Sequence, residues 1–86
     1  MSFRILSTFL ISVIFLSFSF ALPVTSNVLL EVYDINGRLI DELIKSNMDP
    51  GYHSVIWNAD NNASGVYFVK MVAGDFVNTQ KLMLVK

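Results

Sequence analysis

Val28-Leu29-Leu30-Glu31-Val32-Tyr33-Asp34-Ile35-Asn36-Gly37-Arg38-Leu39-Ile40 is the stretch on which the fold turns. Val28, Leu30 and Val32 fall on one face of an extended chain, with Leu29, Glu31 and Tyr33 on the other. That period of two predicts a strand. Asn36-Gly37 then reads as a tight hairpin turn, because both positions tolerate positive φ. Arg38 to Ile44 is the returning strand, although the apolar spacing from Leu39 to Ile44 is ambiguous between strand and helix.

The same grammar continues towards the C-terminus. Asn47 to Gly51, ending Pro50-Gly51, predicts a turn, and His53-Ser54-Val55-Ile56-Trp57 a strand with His53, Val55 and Trp57 on one side. A polar loop follows from Asn58 to Asn62. Gly65 to Met71 predicts a strand with Tyr67, Val69 and Met71 on one face and Val66, Phe68 and Lys70 on the other. Ala73-Gly74-Asp75 turns the chain, and Val77 to Val85 closes it. Short strands separated by turn signals predict an all-β fold, a small antiparallel immunoglobulin-like sandwich of about seven short strands. Trp57 is the natural side chain to fill the space between its sheets.

Towards the N-terminus the character changes. Met1 to Arg4 carries one positive charge, and no charged residue occurs from Ile5 to Leu30. The apolar run Ile5 to Leu16, followed by the small residues Ser19 and Ala21, describes a signal-peptide-like segment over residues 1–21 with cleavage after Ala21. Residues 5–22 are also just long enough for an uncleaved anchor. A third reading competes for the same residues. Phe18, Phe20 and Leu22 alternate with Ser17, Ser19 and Ala21, as in a half-buried first strand from residue 18. The expected organisation is thus an apolar segment 1–21, overlapping that strand, and a sandwich domain 22–86.

Composition narrows the functions. Within residues 22–86 five basic residues (Arg38, Lys45, Lys70, Lys81 and Lys86) stand against seven acids, without a basic stripe for nucleic acid. The chain has no cysteine, which removes disulfides, thiolate metal sites and cysteine nucleophiles. His53 is the sole histidine and reads as a strand residue beside a turn. Asp34-x-Asn36-Gly37 opens like a calcium loop but lacks the remaining ligands, so it reads as a hairpin turn. Asp41 and Glu42 read as a solvated strand edge, Asn62-Ala63-Ser64 is a formal glycosylation sequon, and Ser64 has no nucleophile elbow. No catalytic residue, metal site, cofactor or small-molecule substrate is expected, and membrane contact only through the N-terminal segment.

Five motifs occur in order: Val32-Tyr33-Asp34-x-Asn36-Gly37-Arg38; Pro50-Gly51-Tyr52-His53-Ser54-Val55-x-Trp57; Ala63-Ser64-Gly65-Val66-Tyr67-Phe68; Ala73-Gly74-Asp75-Phe76; and the ending Lys81-Leu82-Met83-Leu84-Val85-Lys86. Together they resemble the C-terminal sorting domain of type IX secretion cargo, which is similar to the immunoglobulin-like domain of the flagellar hook-capping protein. The resemblance runs from about Phe18 to the last residue, without the family's Asn-Pro-Phe-Asn-Pro lead-in. It implies a non-catalytic export signal, recognised in the periplasm by outer-membrane translocon components and carried to the cell surface or beyond. By position it assigns the sorting motif to Gly65, Val66, Tyr67, Gly74, Lys81 and Lys86. The apolar segment runs straight into the domain, so the chain reads as the tail of a longer or truncated cargo protein, or as a stand-alone secreted module. The alternative function is a structural adhesion or cap-type module that self-assembles through a strand edge.

Overall fold

A computed structural model describes the backbone of Phe3–Leu6 and the whole of residues 15–85. In chain order the strands are β1 (Phe3–Leu6), β2 (Phe15–Leu22), β3 (Ser26–Asp34), β4 (Leu39–Met48), β5 (Gly51–Asn58), β6 (Gly65–Ala73) and β7 (Phe76–Leu84). They form two antiparallel sheets, a three-stranded one ordered β1-β2-β5 and a four-stranded one ordered β4-β3-β6-β7. Against the expected seven or so short strands, the sandwich body has six, each of eight to ten residues. The four-residue β1 lies on the edge beside β2.

Alternation explains which side chains meet. Leu16, Phe18, Phe20 and Leu22 of β2 are buried, as are Val28, Leu30 and Val32 of β3. Tyr67, Val69, Met71 and Ala73 of β6, Leu82 and Leu84 of β7, and Trp57 of β5 complete the core with Ala59. Among the described residues no polar or charged one is buried. The fully buried set is therefore made of apolar and aromatic residues, the arrangement that a small cysteine-free domain needs to offset its chain entropy.

The ambiguity at Leu39 to Ile44 has a physical origin. The pairing of β4 with β3 shifts register twice, between Leu30 and Glu31 and between Val32 and Tyr33. Leu43 and Ile40 are the residues left without a partner at those shifts. Each bulge resets the two-residue period, so Ile40, Leu43 and Ile44 all pack against the core. The following turn is also tighter than expected, because β4 runs on to Met48 and only Asp49 and Pro50 separate it from β5.

The β3–β4 turn differs from the expectation in one respect. Only Gly37 has positive φ, at 82°, and Asn36 does not. Gly37 N–H donates to the Asp34 carbonyl and Asp34 N–H to the Arg38 carbonyl, both at 3.0 Å. This is a three-residue loop, a type I turn closed by a left-handed glycine. What holds it is the Asp34 carboxylate. Its Oδ1 accepts from the N–H of Asn36 and of Arg38, each at 2.9 Å, and its Oδ2 accepts from Arg38 Nε at 3.1 Å.

The Arg38 backbone N–H, with its guanidinium and the Asn36 N–H, holds the Asp34 carboxyl below its ordinary value. A carboxyl lowered on folding stabilises the fold above its unfolded value, and that contribution is lost as pH falls through the folded value. At neutral pH the protein should therefore melt above Asp34→Asn, whose amide oxygen keeps the two backbone bonds while its NH2 gives up the charge and the bond from Arg38 Nε. The gap should close on acidification below the ordinary carboxylate range. Thermal melts at neutral and acid pH check this. A gap that does not change with pH would show that the charge contributes nothing.

Candidate functional site

The C-terminal hairpin is built so that its two strands stay in unbroken register from Ala73↔Phe76 to Gly65↔Leu84. Gly74, at φ 59°, and Asp75 form its two-residue turn. Positive φ at the first of the two positions alone marks a type II′ turn, whose twist matches that of the flanking strands. The Gly74 N–H also donates to the Asn27 carbonyl at 3.3 Å, fastening the turn to the start of β3.

At the other end Gly65 opens β6 at φ 155°, a backbone conformation that residues with a side chain rarely adopt. Val66 lies opposite Met83, Tyr67 opposite Leu82, and Phe68 opposite Lys81. Gly65, Val66, Tyr67 and Lys81 are thus brought together, although thirteen residues of chain separate Tyr67 from Lys81. Gly74 stands apart, roughly 30 Å away by strand rise. Lys86 lies outside the described residues.

These side chains differ in what they present. Tyr67 is only 7% exposed and points into the core. Its ring meets Trp57 edge-on at 5.5 Å, and its hydroxyl donates to the Ala63 carbonyl at 2.6 Å. Tyr67 therefore pins the loop 59–64 to the sandwich. Val66 and Lys81 lie on the outer face of the four-stranded sheet, Val66 half-buried and Lys81 exposed.

That outer face is unusually apolar for a solvated surface. Leu29, Tyr33, Val66, Phe68 and Val72 are half-buried there, and beside them Leu39, Val77 and Met83 are 51%, 59% and 68% exposed. Among them lie Glu31, Lys70 and Lys81. The Tyr33 hydroxyl donates to Glu31 Oε1 at 2.6 Å, and that bond, with desolvation and the nearby carboxylates, pushes the phenol above its ordinary value. At the Gly74 end a shallow groove runs between Leu29, Lys45, Asn47 and Val72. A contiguous apolar sheet face of this kind marks an interaction surface. A sequence signal for it existed. Strand β6 is apolar on both faces, a pattern that belongs to strands covered on both sides.

The remaining candidates are accounted for by local structure. His53 Nε2 lies 2.7 Å from the Asp49 carbonyl, and its ring centroid is 5.6 Å from that of Phe20. Asp34 is committed to its turn. Asp41 and Glu42 are exposed on β4. Among the described residues no group of His, Cys, Asp or Glu is placed to hold a metal ion, and no helix is long and apolar enough to cross a membrane.

Residues 12–86 match the family model described as "Secretion system C-terminal sorting domain". No curated protein matches the chain.

Proposed function

The chain belongs to the family of secretion system C-terminal sorting domains, and on that premise we propose that the open end of its β6–β7 hairpin is the surface the export machinery reads. A domain of this family is a sorting signal for type IX secretion. It engages the secretion machinery and directs export towards the cell surface or the extracellular space.

The observation that carries the proposal is the juxtaposition of Gly65, Val66 and Tyr67 with Lys81 across one hairpin, at the margin of an apolar face. Val66, Phe68 and Met83 supply area that gains from desolvation, and Lys81 supplies a charge that orients the partner. Tyr67 acts from beneath by holding the adjoining loop. Gly74 keeps the hairpin in register, and Lys86 extends the basic end. The partners are outer-membrane translocon components, met during transit through the periplasm. Residues 1–21 serve as the export segment where they are not taken up in β1 and β2, and they are the chain's contact with the membrane.

Fusing residues 15–86 behind a periplasmic reporter in a host competent for type IX secretion tests this. The reporter should appear outside the cell. Lys81→Glu should leave most of it in the periplasm, while Lys45→Glu, on the opposite edge strand, should be exported normally. Retention of the unmodified fusion, or export of Lys81→Glu at the unmodified level, would overturn the assignment.

A further inference from the structure

We propose that the free edge of β7 pairs with the β7 edge of a second copy, joining two four-stranded sheets into one continuous sheet. This inference rests on sheet geometry and not on the sorting function.

The two edges of the four-stranded sheet are unequal. Strand β4 carries both register shifts and the exposed charges Asp41, Glu42 and Lys45, devices that discourage pairing. Strand β7 has nine residues, no shift, no proline and a single charge, Lys81. The free edge of β5, in the other sheet, starts at the Asp49–Pro50 corner, where β4 crosses over and the Asp49 carbonyl meets His53. Among the described residues no such corner lies beside the outer edge of β7.

Backbone polarity gives the available groups. In a two-residue hairpin the residue after the turn bonds back across it, so Phe76 faces β6. Alternation then turns the main-chain groups of Val77, Thr79, Lys81 and Met83 to the free edge. An antiparallel second copy must match these residues among themselves, or the inner and outer faces would exchange.

Of the matching registers, the one centred on Gln80 is self-complementary. It sets Val77 against Met83 of the second copy and Thr79 against Lys81. In the inner layer it sets Phe76 against Leu84. Centring on Lys81 would oppose the two lysines, and centring on Thr79 would face Met83 with Asp75. The Gln80 register gives roughly eight main-chain hydrogen bonds and covers Val77 and Met83, which are otherwise 59% and 68% exposed.

Thr79 is the diagnostic position, because it faces Lys81 of the partner copy in this register alone. Sedimentation of the full chain over a concentration series should show a monomer–dimer equilibrium. Thr79→Glu should tighten it about threefold to tenfold, since the two-fold axis creates two opposite-charge pairs, and Thr79→Lys should weaken it by a similar factor. Thr79→Pro should be monomeric yet still folded by circular dichroism, because its lost N–H faces solvent in the monomer. A strictly monomeric wild type, or a dimer that responds alike to Thr79→Glu and Thr79→Lys, would overturn the proposal.

Discussion

Trp57→Ala is expected to abolish the cooperative melting transition. Trp57 is fully buried and lies in register with Leu16 of β2. Its ring meets Tyr67 of the opposite sheet edge-on at 5.5 Å, so one side chain bridges the two layers. Removing it costs about 3–5 kcal/mol in lost burial and unfilled cavity. A chain of this size has on the order of 4–10 kcal/mol in total. Two variants make the expectation specific. His53→Ala, four residues away on the same face, should cost about 1 kcal/mol, since it loses one hydrogen bond and a partial ring contact. Trp57→Phe should be milder than alanine. It keeps a ring against Tyr67 and removes an indole N–H that has no acceptor among the described residues. Urea or thermal melts of the three variants check the order. Equal midpoints for Trp57→Ala and His53→Ala would show that the core is centred elsewhere.

A chain beginning at Leu22 should fail to fold, whereas one beginning at Phe15 should melt cooperatively. Strand β2 is the middle strand of the three-stranded sheet and pairs with β5 along its whole length. Its removal strips β5 of its hydrogen-bonded neighbour and takes away Leu16, Phe18 and Phe20, all of them buried. At roughly 1.5–3 kcal/mol for each of these side chains, the loss matches the whole stability of a small domain. The four-stranded sheet would keep its own pairing but present its inner face to water. A cut after Ala21 has the same physical effect as starting at Leu22. Melting curves of the two chains, with binding of an apolar dye as a second readout, decide the matter. A chain from Leu22 that melts as high as the longer one would favour a cleaved signal segment and remove β2 from the list of essential strands.

The same residues show what was open to inspection in the sequence alone. Period-two alternation is a local property, so it identified the inward faces of β3 and β6 and the inward set Phe18, Phe20 and Leu22 without any knowledge of partners. Turn chemistry is equally local, which is why Gly37 and Gly74 marked two hairpins, even though Gly37 alone takes positive φ at the first. Trp57 stood out as core because nothing else in the chain is large enough to span two layers. Strand partnership is different in kind, because it depends on matching burial and register between segments distant in the chain. Only the tertiary structure placed β2 beside β5 and β3 between β4 and β6. It also revealed the two bulges that let Ile40, Leu43 and Ile44 all reach the core, a break in alternation that no periodic reading detects. The motif residues obeyed the same division. Their order was visible in the chain, but antiparallel pairing decided that Lys81 stands beside Gly65–Tyr67 and that Gly74 lies a strand's length away. Among the described residues it also left β7 at the outside of its sheet, because a strand's edge is defined by the neighbour it lacks.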